Sequence, residues 1–397
     1  MIQRSRRIPV DLSLNRLAEA RQRIGEIPYD LTVSNPTACG FSYPETLLSP
    51  LAARRGLVYE PDARGPMVAR AAVAGEYARW GVGADAQHVL LTASTSEAYS
   101  FLFRLFCNPG EQVLVPSPSY PLFDHLAKLD GINATSYALD PEANWRIDFS
   151  ALEDGSEEAR AVIVVQPNNP TGSFIHPDDR QRLVDLCRHR GWALIADEVF
   201  LLFPLDGGPG SDQSFASVDD CLCCTLGGLS KSVGLPQLKL SWIVVTGPSE
   251  LVEPVLEGLD YVADAYLSVS TPVALASPQI LADAVLIREE IATRCQANLD
   301  ALRRLASVHP EIDVGPIGGG WSAPVRVPSV IDEEDLCVKL LLERGVAVHP
   351  GGFFGFARDG WLVLSLLLPP EVFHRGVWLL FDAIADTVKF RSDSAGG

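Results

Sequence analysis

The sequence predicts an α/β protein with a large domain, in which a mostly parallel mixed sheet is sandwiched by helices, and a smaller α+β domain. Two observations predict it. From about residue 65 to 250, short β-branched runs alternate with amphipathic helical stretches, the pattern of a parallel sheet covered on both faces. The last third breaks that alternation. A long helical pattern over 282–307 leads into GGGWSAPVRV, then a helix over 333–344, then the run WLVLSLLL. The expected division is a large domain over 41–282 and a small one built from 1–40 and 283–397.

The runs read as strands are HVLLTAS (88–94), EQVLVPS (111–117), AVIVVQP (161–167), WALIADE (192–198), CLCCTLG (221–227) and LSWIVVT (240–246). Between the third and fourth, Leu183, Val184, Leu186 and Cys187 make one face of a helix over 178–190. Cys221, Cys223 and Cys224 sit in an apolar run, where cysteine acts as a small hydrophobe; their spacing is not that of a zinc site. Gly81 to Ala86 matches a dinucleotide fingerprint by letter, yet it precedes a strand-like run where a true fingerprint follows one.

Composition excludes several classes. The chain has 397 residues, 47% of them apolar, enough for a large core without disulfides or a structural metal. A net charge of −18 argues against a nucleic-acid or anionic-membrane surface. It also argues against the effector half of a DNA-binding regulator. No run approaches the ~20 apolar residues of a membrane span, and Asp11, Asn15 and Arg16 interrupt any leader-like stretch. The expectation is a cytoplasmic protein with small-molecule partners.

Parallel sheets bind ligands beyond the carboxyl ends of their strands, so the polar residues there matter most. After the first run, Ser94 and Thr95 open a helix, as a phosphate cradle or as caps. The second ends in Tyr120, suited to stacking on a flat ring or to filling a turn. The third leads to Asn169 in a turn punctuated by Pro170 and Gly172. The fourth ends in Asp197, a carboxylate in an apolar run that needs a cation or a donor. The fifth leads through two glycines to Lys231, one of only five lysines and placed to form a Schiff base; Lys239 follows eight residues on. Each signal is weak alone. Together they match the parts of one aromatic, phosphate-bearing aldehyde.

With AVIVVQPNNPTG, ALIADEVF, GGLSKSVGLPQLKLSW and PGGFFG in this order, the chain resembles the fold type I pyridoxal-phosphate enzymes, specifically the class I/II aminotransferases. The resemblance runs from about residue 30 to 380. It implies pyridoxal 5'-phosphate as cofactor, held by Lys231 as an internal aldimine, with Lys231 then moving the substrate's Cα proton. It implies Asp197 on the pyridinium nitrogen, Asn169 on the phenolic oxygen and Tyr120 on the ring face. Ser94, Thr95 and Lys239 would hold the phosphate. Tyr59 would reach the neighbouring subunit's phosphate, which implies a homodimer. The activity implied is transfer of an amino group between a small-molecule donor and a carbonyl acceptor. Elimination, replacement, cyclisation or oxidase-like chemistry is the alternative on the same scaffold.

Three departures from the family pattern stand out. Lys239 occupies a usual arginine position, exchanging a bidentate fork for a point charge. Phe200 occupies the place of a tyrosine that donates to the phenolic oxygen. Phe200→Tyr is therefore expected to lower the midpoint of the holoenzyme's absorbance titration, and an unmoved midpoint would refute that role. Val363 stands in WLVLS where an arginine grips the substrate's α-carboxylate. Losing that grip costs about 1.5–3 kcal/mol per charged hydrogen bond. Arg64, Arg326 and Arg358 are the candidates to replace it.

Overall fold

The computed structural model describes residues 4–154, 157–210, 213–267 and 269–395. Thirteen strands are formed by these residues: β1 Tyr29–Asp30, β2 Val89–Thr92, β3 Gln112–Ser117, β4 Asn133–Asp140, β5 Arg146–Ile147, β6 Ala159–Val165, β7 Ala193–Asp197, β8 Cys223–Gly228, β9 Ser241–Thr246, β10 Ser322–Arg326, β11 Val346–Ala347, β12 His349–Pro350 and β13 Trp361–Ser365. Eight of them make one sheet in the order β2-β9-β8-β7-β6-β3-β4-β5. The central pairs β4–β3, β3–β6, β6–β7 and β7–β8 are parallel, whereas β9 runs antiparallel to both β8 and β2. The sheet is thus mixed and mostly parallel.

The six expected strands form, because their β-branched runs bury side chains on both faces; every residue of β7 and β8 is buried. Cys223 and Cys224 are fully buried within β8. Two strands escape the sequence pattern. β4 reads NATSYALD, with no apolar run, and only Tyr137 and Leu139 point inward from it. It forms because β3 offers it a parallel edge, while β5 pairs with its far side. The Gly81–Ala86 segment links the helix Met67–Arg79 to β2, so it precedes a strand.

The expected long helix over 282–307 is one helix, Val285–Ala306, set off at Ala284 from a preceding helix, Thr271–Asp283. The helix Glu333–Arg344 forms as read, with Asp332 capping its first turn. WLVLSLLL stays a strand only to Ser365; Leu366 to Leu368 run on as buried chain beyond the β-ladder. β13 is the middle strand of a three-stranded sheet ordered β10-β13-β12. The N-terminal segment joins this part of the molecule: Tyr29 of β1 pairs with Val346 of β11, and Arg16 meets Asp335 at 2.6 Å. Among the described residues no helix is long and apolar enough to cross a membrane.

Candidate active site

A cavity of about 380 Å3 opens where the carboxyl ends of β6, β7 and β8 face β12 and β13. Its wall brings together five of the eight residues expected to hold the cofactor: Thr95, Tyr120, Asn169, Asp197 and Lys231. Convergence of separate strand ends on one point is what parallel topology supplies.

Lys231 sits in a single helical turn, Leu229–Ser232, directly after β8. Its ammonium lies 4.9 Å from the centre of the Trp321 ring and 5.3 Å from that of Phe200. Those faces attract a cation, while the enclosure they help to form strips it of water. Burial brings the Lys231 amine down to about 8, partly offset by the Asp197 charge. An amine in that range is a usable nucleophile near neutral pH.

Asp197 is the last residue of β7 and fully enclosed. Its Oδ2 accepts the Tyr99 hydroxyl at 2.8 Å, and its Oδ1 accepts the Val199 N–H at 3.1 Å. Burial pushes the carboxyl up, against the Val199 and Tyr99 donors and the Lys231 charge that hold it down. An ionised carboxylate can accept about four hydrogen bonds, so capacity remains for a cationic N–H from inside the cavity. The neighbouring Glu198 faces away and is taken up by Ser214 Oγ and the Phe215 N–H, each at 2.6 Å. Burial pushes it up to about 7.

Asn169 is held by its neighbours rather than by itself. Asn168 is buried and ties the turn down, accepting Ser119 Oγ at 2.7 Å and donating to Pro118 O at 3.0 Å and Thr171 Oγ1 at 2.8 Å. Gly172, at φ 69°, closes the turn against the Gly319 carbonyl, where a side chain has no room. Asn169 Oδ1 then accepts Ser322 Oγ at 3.3 Å. Tyr120 packs edge-on to Phe123, leaving part of its ring in the cavity wall.

Three other candidates lie apart. Ser94 caps the helix Thr95–Phe106, its Oγ accepting the Glu97 N–H at 3.1 Å, and it is not in the wall. Lys239 is exposed, on a left-handed backbone at φ 52°, and also outside the wall. Tyr59 is 63% exposed in the chain before the helix Met67–Arg79. Val363 does line the cavity, 2% exposed and directly opposite His349 in the β12–β13 register. None of the three candidate arginines reaches it. Arg64 forks onto Asp260 with both bonds at 2.6 Å, Arg326 meets Glu142 at 3.1 Å, and Arg326 and Arg358 line a different cleft.

A model of the family described as aminotransferase class I and II matches residues 60–377, four-fifths of the sequence. The chain belongs to the class I and II aminotransferases. It is 30% identical over 357 residues to an alanine aminotransferase of Mycobacterium tuberculosis, covering 85% of this chain and 81% of that protein. It is 33% identical over 311 residues to the capreomycidine synthase of Streptomyces vinaceus, covering 78% of each. Among solved structures, an aminotransferase from Escherichia coli superposes with a TM-score of 0.86 over 97% of this chain and 98% of that one, at 21% identity. The fold is accordingly that of the fold type I enzymes, and the cofactor of this aminotransferase is pyridoxal 5'-phosphate.

The wall suits that cofactor: an amine of lowered pKa, an enclosed carboxylate with spare acceptor capacity, and an aromatic ring at the edge. The site also contains residues that the sequence did not single out: Trp321 and His349 line the cavity, and Tyr99 holds Asp197. Tyr99 could have been found, since a tyrosine in the apolar helix run AYSFLF needs a partner for its hydroxyl. Trp321 and His349 could not, because only the pairing of β10, β13 and β12 carries them to the wall. Trp321 Nε1 and His349 Nδ1 are enclosed there without a hydrogen-bond partner among the described residues.

Proposed function

We propose that this aminotransferase takes an amino donor whose end nearest β13 is not gripped by an arginine. The observation that carries this is Val363 in the wall, with Arg64, Arg326 and Arg358 all engaged or placed elsewhere. Among the described residues lining the cavity, the polar groups at that end are His349, Ser322, Ser365, Thr32 and Ser34, beside the rings of Trp321, Phe353 and Phe354. Burial and the nearby Arg21 lower the His349 pKa, against the opposing Asp30, so it meets a ligand as a neutral donor rather than a fixed cation.

The roles follow from position. The bound cofactor supplies an aldehyde for the donor's nitrogen and a ring that accepts an electron pair from the donor's α carbon. Lys231 is the group placed to hold that cofactor and, once released, to carry a proton at its Nζ. Asp197, kept in place by Tyr99 and Val199, favours a protonated ring nitrogen. Asn169 is placed for the ring's phenolic oxygen, and Tyr120 for its face. Trp321 and Phe200 keep water off the Lys231 amine. The phosphate end falls to Thr95, with Ser94 ordering the helix start and Lys239 contributing charge from outside the wall.

We take 41–282 as the large, cofactor-binding domain and 1–40 with 283–397 as the small one. We further take the enzyme to be a cytoplasmic homodimer. Leu57, Val58 and Tyr59 form an exposed apolar run, and Arg64 ties their segment to the helix Ser249–Tyr266, where Tyr261 and Tyr266 are also exposed. A second subunit covering this surface would bring its Tyr59 towards this site.

A donor screen by absorbance tests the reading, with amines lacking a carboxylate set beside common α-amino acids. Carboxylate-free or weakly held donors should convert the cofactor at least as well. Rapid conversion by ordinary α-amino acids alone would overturn it. The second reading, a non-transaminating reaction such as elimination, replacement, cyclisation or an oxidase-like step of specialised metabolism, is favoured by the kinship to a synthase. Donor added alone distinguishes the two: transamination accumulates the amine form of the cofactor with an equivalent of carbonyl product, and the alternative does not.

A further inference from the structure

Two glycines end β8, and the strand beside it explains both. Gly227 pairs with Trp242 and Gly228 with Ser241 in the β8–β9 register. A Cβ on Gly227 would overlap the Trp242 indole, and a Cβ on Gly228 would overlap the Ser241 hydroxyl and come within 3.0 Å of the Ser241 Cβ. The Ser241 side chain therefore occupies the space over Gly228, three residues before Lys231. Ser241 is only 2% exposed, yet it lines the cavity, and its Oγ has no hydrogen-bond partner among the described residues. Buried hydroxyls rarely stay unpaired, so this one is built for a partner that occupies the cavity.

Ser241 does not stand alone. Thr95 and Ser230 line the same cavity, and their hydroxyls are likewise without a protein partner among the described residues. Thr95 is the first residue of the helix Thr95–Phe106, whose N–H groups carry partial positive charge. Ser94, by contrast, is already spent on its cap, and Lys239 lies outside the wall. A set of neutral donors at a helix start, with Lys231 the only lysine or arginine among the described lining residues and that one placed for the aldehyde, matches a phosphate bound by hydrogen bonds.

We propose that Ser241 is an anchor for the phosphate of the cofactor, given its place by the missing side chain of Gly228. This rests on the pyridoxal 5'-phosphate reading of the site. A hydrogen bond from a hydroxyl to an anionic oxygen is among the stronger ones, and its removal weakens binding by about tenfold or more. Ser241→Ala deletes one oxygen and adds no bulk, so the fold is preserved.

The test is equilibrium titration of the apoenzyme, followed by fluorescence, with pyridoxal 5'-phosphate and in parallel with pyridoxal, which lacks the phosphate. Ser241→Ala should raise the Kd for the phosphorylated form about tenfold and leave that for pyridoxal unchanged. Gly228→Ala should weaken the phosphorylated form in the wild-type background, where it displaces the Ser241 hydroxyl. In a Ser241→Gly background the same change should cost nothing further. Equal loss for both ligands in Ser241→Ala, or no loss for either, would overturn the assignment. Wild type that takes up no pyridoxal 5'-phosphate would instead bring down the cofactor reading, and this one with it.

Discussion

Replacing Asp197 with asparagine should leave a folded, cofactor-loaded protein with turnover reduced about a hundredfold to a thousandfold. The amide oxygen can still accept one of the two donors now on the carboxylate, Tyr99 or Val199, so the local structure survives. On the proposed role of Asp197, the change removes the negative charge that would favour a proton on the ring nitrogen, and with it the electron sink. Removing a preorganised electrostatic group from a dry site has an effect of that size. The apoenzyme should behave differently. Burial disfavours the ionised Asp197 there, so the neutral asparagine should leave its thermal midpoint at neutral pH unchanged or raised. Turnover within tenfold of wild type would contradict the role. A smaller loss is expected for Tyr99→Phe, which removes a donor to the carboxylate but keeps its charge.

Introducing an arginine at Val363 should have the opposite sign for one class of donors. Val363 is enclosed and faces the cavity opposite His349, so Val363→Arg places a guanidinium among Trp321, Phe353 and His349. A bidentate pair with an α-carboxylate then becomes available. At about 1.5–3 kcal/mol per charged hydrogen bond, less the desolvation of the new charge, KM for common α-amino acids should fall about tenfold to a hundredfold. Donors without a carboxylate should bind less well, since the cation then stays buried and unpaired. The unliganded variant should also melt earlier than wild type for the same reason. Steady-state kinetics on both donor classes decides it. No change in preference between them would mean that position 363 does not face the substrate.

Much of this site was legible because parallel strands deliver their carboxyl ends to one place. Thr95, Tyr120, Asn169, Asp197 and Lys231 each follow a run that the β-branched pattern marks, and all five meet in the cavity wall. Chain order alone predicts such convergence. The second wall was not legible. Trp321, His349 and Ser365 reach the cavity through the antiparallel register of a small sheet whose strands lie far apart in sequence. The reciprocity of Gly228 and Ser241 is hidden for the same reason: the sequence shows two glycines before Lys231, but only the β8–β9 register shows that cross-strand packing requires them. β4 was missed because edge pairing, not its own polar sequence, makes it a strand. Ser94 shows the limit of local reading in the other direction, since a hydroxyl at a helix start serves as cap or as cradle and only its Glu97 contact separates the two.

The central claim is a covalent one, that the Lys231 Nζ carries the cofactor, and borohydride reduction followed by peptide mapping tests it most directly. The purified protein incubated with pyridoxal 5'-phosphate should turn yellow, and reduction should fix one equivalent of pyridoxyl phosphate on the peptide containing Lys231. Lys231→Ala should acquire none. A colourless protein, or an adduct spread over Lys128, Lys239, Lys339 and Lys389 with none at Lys231, would contradict the account.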